Sequence, residues 1–93
     1  MPRVLVIAQV KDPKQWEKGF RTHGKLFRSM SVTKAVEYGL TDDGKTAATC
    51  FEAKSLAKFS KSLNSPAVAE AMDFDGVMRE TVQVYVLKKK FKP

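Results

Sequence analysis

Apolar residues near the N-terminus first crowd together and then recur at helical spacing. Residues 3–10 are β-branched and apolar on both faces, which predicts a first strand. Asp12 and Pro13 then suit the N-cap and the first position of a helix. This helix is predicted to run to about Met30, because apolar side chains follow at alternating intervals of four and three residues, as one helical face requires. The residues of this face are Trp16, Phe20, His23, Phe27 and Met30.

The remaining elements follow from alternation, turn residues and prolines. Two alternating segments predict strands joined by a hairpin turn, whose Asp and Gly residues tolerate positive φ. Serines can cap two further helices, and a Ser-Pro pair separates them because proline disfavours helix at the residue before it. The predicted elements are strands at 31–40, 46–53 and 77–87, a helix after Ser55, and a short helix from Pro66 to about Met72.

The element order is βαββαβ, which is typical of ferredoxin-like α+β folds. It predicts a four-stranded antiparallel sheet with its helices on one face. The first and last strands are apolar on both sides, so a monomer would expose a large patch of Val, Leu, Ile and Tyr. We therefore expect a homodimer in which two sheets pack face to face into an α+β barrel. A monomer whose basic tail folds over the sheet is the alternative, and the pattern does not tell which face of each strand meets the helices.

Length and composition predict one domain over residues 1–93, neither disordered nor embedded in a membrane. The chain has 93 residues, 43% hydrophobic and 29% charged, and its apolar runs fall well short of the ~18 residues of a membrane span. Its first residues lack the small-residue cleavage pattern of a signal peptide. The single cysteine, Cys50, excludes an internal disulfide, and we interpret it as a small buried hydrophobe in a cytoplasmic protein.

The net charge of +7 raises the question of nucleic-acid binding. Most basic residues are spread over predicted helix faces, and the only dense cluster is a C-terminal run, which we interpret as a flexible, solubilising tail over 88–93. RNA-recognition domains with this strand order carry aromatic residues on their first and third strands. Here only Phe51 is available, while Leu5 and Ile7 occupy the first strand, so nucleic acid is not favoured as a partner.

His23 is the only histidine of the chain, and histidine is the side chain that titrates near neutrality. On an apolar helix face it could act as a general base. The commoner role of such a residue is a partly buried His that is hydrogen-bonded to backbone, here beside Gly24. The aromatic residues of the same helix could line a ligand pocket, although core residues at helical spacing look the same. Asp42, Asp43, Asp73 and Asp75 are interpreted as turn residues, and one His without a second ligand predicts no metal site and no cofactor.

Three segments together resemble the dimeric α+β barrel superfamily. They are an Asp-Pro-x-x-Trp-x-x-x-Phe-x-x-His helix at 12–23, the Asp-Asp-Gly hairpin at 42–44, and Ser-Pro-Ala-Val-Ala-Glu-Ala-Met-Asp-Phe-Asp-Gly-Val at 65–77. The superfamily includes antibiotic-biosynthesis-monooxygenase-like and small polyketide-cyclase-like proteins. The resemblance implies a homodimeric barrel with a small, largely apolar cavity between helices and sheet in each protomer. In the monooxygenase members, an electron-rich aromatic substrate reacts there with oxygen without metal or flavin.

The residues that the superfamily uses are only partly matched. An Asn late on the first strand of monooxygenase members falls near Gln9, and a Trp on their third strand falls near Phe51, which cannot donate a hydrogen bond. Haem-degrading members have their ligand His on a different element from His23, so haem is disfavoured. The His and Tyr of cyclase members do not match His23 with Tyr38 or Tyr85.

The sequence thus favours a small dimeric barrel protein that binds a small apolar or aromatic molecule and, if it is an enzyme, acts as a cofactor-independent monooxygenase or cyclase. The candidate catalytic residue is His23. The candidate ligand-binding residues are Trp16, Phe20, Phe27, Phe51 and Met72. The alternative is a non-enzymatic accessory or binding dimer whose cavity is filled by its own side chains, which a void well below about 300 Å3 would favour.

Overall fold

The computed structural model describes residues 2–89 and 91, with 34–36 described by their backbone alone. The strands form one antiparallel sheet in the order β2-β3-β1-β4, which confirms the predicted ferredoxin-like α+β fold. Along the chain the elements are β1 (Arg3–Gln9), α1 (Pro13–Phe20), α2 (Gly24–Ser29), β2 (Val32–Leu40), β3 (Thr46–Ala53), α3 (Leu56–Leu63), α4 (Pro66–Phe74), a 3-10 helix (Arg79–Thr81) and β4 (Gln83–Leu87).

The helices cover one face of the sheet, and the core lies between the two layers. Val4 of β1 pairs with Phe51 of β3, and both are buried on the helix side. Phe59 of α3 and Val68 of α4 pack against them from above. Burying one such side chain stabilises the fold by about 1.5–3 kcal/mol. The sequence did not tell which face of each strand meets the helices, and the structure shows that it is the face of Val4 and Phe51.

The predicted single helix up to Met30 is wrong, because the chain forms two helices. The backbone N–H groups of Thr22 and His23 donate to carbonyls three residues earlier, which ends α1 in a tighter turn. The Thr22 hydroxyl also donates to the Gly19 carbonyl at 2.7 Å, so that this acceptor does not require a continued helix. The apolar face predicted for the single helix still points into the core on both helices, since Trp16 before the break and Met30 after it are buried.

The predicted strand at 77–87 is also too long. Val77 forms only an isolated bridge with Val10, and β4 begins at Gln83. Between them the Thr81 hydroxyl accepts from the Gln9 N–H at 2.8 Å and donates to the Met78 carbonyl at 2.6 Å. On the β4 side of Gln9, a side chain thus accepts the bond that a strand carbonyl would accept, and the backbone of residues 78–82 is free to turn.

The outer face of the sheet carries Leu5 and Ile7 on β1. Leu5 lies between Tyr85 of β4 and Cys50 of β3, so Cys50 is a half-buried residue of the outer face and not a core residue as predicted. Tyr85 is 48% exposed. This apolar face is the surface on which the predicted dimer depends, and the dimer stays a prediction.

Two further predictions concern the ends of the molecule and its surroundings. The flexible tail was predicted for 88–93, of which residues 90, 92 and 93 lie outside the described residues. Among the described residues, none of the helices combines the length and the apolar character that crossing a membrane requires.

Candidate functional site

A cavity of about 90 Å3 lies between the helices and the sheet. Its walls come from α1, α2, α3 and α4 on one side and from β1 and β3 on the other. All six residues predicted for the site lie in these walls. They are Trp16, Phe20, His23, Phe27, Phe51 and Met72. Residues from four separate elements are therefore brought together around one space.

Phe20 is the centre of the aromatic part of the wall. Its ring centroid lies 5.2 Å from that of Trp16, 4.9 Å from that of Phe27 and 6.2 Å from that of Phe51. Tyr38 of β2, which the sequence analysis did not assign to this cluster, is nearer still at 4.6 Å. Such pairs add about 0.5–1.5 kcal/mol each beyond their burial. Trp16, Phe20, Phe27 and Phe51 thus line the cavity, while Tyr38 packs against Phe20 and Trp16 without lining it.

Three polar side chains stand in this wall among the described residues: His23, Thr49 and Asp75. The His23 Nε2 atom lies 2.9 Å from Asp75 Oδ2 and 3.1 Å from Asp75 Oδ1. Both side chains are largely buried, with 17% of His23 and 5% of Asp75 exposed. The ring therefore bonds a carboxylate and not backbone, and the interpretation of Asp75 as a turn residue alone is wrong.

Local structure places this pair. His23 directly precedes α2 and occupies its N-cap position, while Asp75 is the C-cap residue of α4. A methyl group at Gly19 would overlap the Asp75 carboxylate, so α1 approaches the end of α4 only because residue 19 has no side chain. The Gln15 side-chain amide also donates to the Phe74 carbonyl, which ties α1 to the same end of α4.

The electrostatics of the pair follow from its burial. Loss of water contact raises the pKa of the Asp75 carboxyl, and the bond with His23 opposes that rise. With a neutral ring, Nε2 carries the proton that is donated to Asp75, and Nδ1 then has a free lone pair. A histidine held by a buried carboxylate in this tautomer is suited to accept a proton from a bound molecule.

Thr49 of β3 is the third polar group of the wall. It is 6% exposed, and its hydroxyl group has no hydrogen-bond partner among the described side chains and backbone. A ligand in the cavity could therefore be oriented by this hydroxyl. The alternation of β3 places Thr49 on the same face as Phe51, but a single Thr on a strand carries no signal that distinguishes it from a core residue.

Two further observations concern metal ligands and the sheet surface considered for RNA. No three His, Cys, Asp or Glu residues in the described part of the chain are grouped as metal ligands would be. The sequence analysis counted Phe51 toward an exposed sheet surface for RNA, and this is wrong because Phe51 faces the helices and is 5% exposed. The outer face of the central strands instead carries Leu5, Ile7, Ala48 and Cys50, with the Arg3–Glu52 ion pair at one end.

Comparison with known proteins identifies the fold. No family model matches the sequence, and no curated protein matches it significantly. Among solved structures, a Bordetella bronchiseptica protein provisionally described as an antibiotic biosynthesis monooxygenase superimposes with a TM-score of 0.75 at 12% identity, over 97% of both chains. The monooxygenase ActVA-Orf6 of Streptomyces coelicolor, solved with the ligand nanaomycin D, gives 0.65 at 15% identity, over 99% of this chain and 89% of that one. SnoaB, a cofactor-independent oxygenase from Streptomyces nogalater, gives 0.61 at 14% identity, over 98% and 93%.

The similarity extends over nearly the whole chain, and at these identities it establishes the architecture and not the chemistry. The resemblance read from three sequence segments is confirmed at this level. The chain has the fold of solved structures described as antibiotic biosynthesis monooxygenases and cofactor-independent oxygenases.

Proposed function

We propose that this protein is a homodimer that binds a small apolar or aromatic molecule in the cavity and acts on it as a cofactor-independent monooxygenase. The observation that carries the proposal is the His23–Asp75 pair, a buried proton acceptor in a wall that is otherwise largely apolar and aromatic. His23 is the catalytic base and Asp75 positions it. The aromatic residues and Met72 bind the ligand.

The chemistry requires no redox group from the protein. His23 removes a proton from a phenol or from a carbon next to a carbonyl, and the resulting anion passes electrons to molecular oxygen. The substrate supplies all the electrons, so that one methylene group and one molecule of oxygen give one carbonyl group and one molecule of water. The apolar wall favours the uptake of oxygen and of an uncharged aromatic ring, while the Thr49 hydroxyl can orient the substrate oxygen. Fold neighbours described as a monooxygenase and a cofactor-independent oxygenase support this reaction class.

A cyclase would use the same base differently. Proton abstraction next to a carbonyl would then lead to carbon–carbon bond formation within the substrate and would not consume oxygen. Oxygen uptake therefore separates the two reactions, with polyketide-like phenols and 1,3-diketones as the test compounds. The monooxygenase assignment predicts uptake of one molecule of oxygen for each substrate converted.

The decisive variant is His23→Gln, which keeps a polar side chain but loses the base. We expect it to bind phenols and to lose turnover by about 10²–10⁴-fold, as is typical when a general base is removed. Lys25→Gln introduces the same residue at an exposed position of α2 and serves as the control. Loss of folding in His23→Gln, measured by circular dichroism, would assign His23 to the core and contradict a catalytic role.

A second candidate function has its own observation. The cavity volume of about 90 Å3 is below the range of about 300–1,000 Å3 found for ligand pockets. This favours a non-enzymatic accessory or binding dimer whose cavity is filled by its own side chains. Trp16 is the only tryptophan and lies in the wall, so its fluorescence reports on occupation of the cavity. No response to any phenol would support this second candidate.

A further inference from the structure

An open groove of about 540 Å3 adjoins the cavity. It runs between the α3–α4 pair on one side and the segment 79–84 on the other. Leu63, Met72 and Val82 line the groove and the inner cavity alike. Because these same half-buried side chains line both spaces, a single apolar layer lies between cavity and groove.

We propose that groove and cavity form one binding site for an aromatic carboxylate, with its ring in the cavity and its carboxylate in the groove. This inference rests on the proposed function and specifies its substrate class. The combined volume falls within the range of known ligand pockets, which the cavity alone does not reach. The small inner space is then the ring subsite of a larger site.

Met72 is the movable part of the layer between the two spaces. It has an unbranched side chain with three rotatable bonds, whereas the branched Leu63 and Val82 have fewer conformations. A change of the Met72 rotamer would join cavity and groove without moving the backbone. Met72 also follows Ala71 on α4, and the small Ala71 side chain leaves room in the cavity wall.

The groove differs from the cavity in its polarity. Arg79 lines it, together with Ser60 and Asn64, and no carboxylate lines it among the described residues. Arg79 binds Asp73 through Nε at 3.0 Å, and its side chain is 54% exposed. The two terminal nitrogens of the guanidinium donate no hydrogen bond within the described part of the chain, so they can receive a carboxylate in the bidentate manner.

Two probes test this arrangement because they differ only at one end. 3-(4-Hydroxyphenyl)propanoate and 4-propylphenol have the same ring and spacer, and they end in a carboxylate or a methyl group. We expect calorimetry on the full chain to show binding of both, with the propanoate up to about fivefold tighter, as a partly exposed ion pair allows. Met72→Phe, which enlarges the separating layer, should weaken both.

Three variants assign the preference to the groove. Arg79→Gln should lower the affinity of the propanoate to that of 4-propylphenol and leave 4-propylphenol unchanged. Asp73→Asn frees Arg79 from its partner and should strengthen propanoate binding. Arg28→Gln removes an exposed arginine of α2 that does not line the groove, and it should change neither affinity.

The outcomes separate this inference from the proposed function. Binding of 4-propylphenol without any preference for the carboxylate, or equal effects of Arg79→Gln and Arg28→Gln, overturns the groove and leaves the cavity as the ligand site. Binding of neither probe overturns both proposals. If Arg79→Gln fails to fold, Asp73→Asn decides alone, and unchanged propanoate affinity in that variant counts against the groove.

Discussion

Gly19 lies against the carboxylate of Asp75 so closely that a methyl group on residue 19 would overlap Asp75 Oδ1. Gly19 is buried near the end of α1, and His23 follows four residues later, after the turn that ends this helix. This close approach brings the C-terminal end of α4 against α1, and it places the Asp75 carboxylate beside the His23 ring. A glycine that weakens its own helix by about 1 kcal/mol makes the polar pair of the cavity geometrically feasible.

The first prediction is that Gly19→Ala destabilises the protein. Because the added methyl group would overlap a buried carboxylate, the cost should lie toward the upper end of the about 1–3 kcal/mol typical of overpacking, which exceeds the gain in helix propensity of about 1 kcal/mol. Urea denaturation measures the net change. Gly24→Ala is the matched control, because a methyl group there would meet only the tip of Arg28 at 3.6 Å. Equal effects of the two substitutions would contradict the close packing of Gly19 on Asp75.

The second prediction concerns the pH dependence of stability at Asp75. Because burial raises the pKa of this carboxyl in the folded state, the folded protein holds the proton at pH values where the unfolded chain has released it. This contribution makes the free energy of unfolding fall as the pH rises from the ordinary value of 3.8 through the raised pKa. Below that window the penalty is absent, and above it the penalty is complete.

Asp75→Asn tests this sign, since Asn keeps the size of the residue and an acceptor for His23. Denaturation curves across the window should show a less negative slope of the unfolding free energy for the variant than for the wild type. The comparison uses slopes, so that any constant effect of the substitution cancels. Parallel slopes would show that Asp75 is not perturbed by burial.

The third prediction has the opposite sign and concerns Asp43 in the β2–β3 turn. Its carboxylate accepts from the N–H groups of Lys45 and Thr46 and from the hydroxyls of Thr41 and Thr46. These bonds lower its pKa below the ordinary 3.8. Its contribution to stability is therefore present above that value and is lost as the pH falls through it toward the lowered pKa.

We expect Asp43→Asn to reduce the loss of stability on acidification between about pH 4 and pH 2, which acid denaturation measures by circular dichroism. Asp42→Asn is the control, because the Asp42 carboxylate accepts none of these four bonds. An identical acid transition in wild type and Asp43→Asn would contradict the turn chemistry described.

Local chemistry was readable from the sequence. The side chains of Asp12 and Ser55 cap α1 and α3 as predicted, by accepting from Lys14 N at 3.0 Å and from Lys58 N at 3.2 Å. Alternation placed β3 at its observed bounds, Thr46–Ala53. These features depend on residues within a few positions of one another, which is the range over which capping and alternation act.

The break after α1 is local, because Thr22 and His23 donate to carbonyls three residues earlier. The other misses involve residues that are far apart in the chain, and the late start of β4 depends on the bond between Thr81 and Gln9. The partner of His23 lies 52 positions away, where no periodicity connects the two. In the sequence, the one sign of the close approach to Asp75 was Gly19, a glycine within the predicted helix and four residues before the only histidine.

The last prediction tests the dimer through the outer face of the sheet. Ile7→Glu places a charge among apolar side chains on β1, where the proposed sheet-to-sheet contact would bury it without a partner. Such a charge costs several kcal/mol, so we expect the dissociation constant to rise by about 100-fold or more. Sedimentation equilibrium across a concentration series measures this constant directly.

Leu40→Glu supplies the control, because Leu40 is 41% exposed and faces the helix side of the sheet, opposite Ala47. The same charge there should leave association unchanged. Since Ile7 faces away from the core and the cavity, Ile7→Glu should keep its fold and phenol binding as a monomer. A wild-type chain that sediments as a monomer at micromolar concentration would contradict the predicted packing of two sheets through their outer faces, and the dimeric barrel would then be wrong.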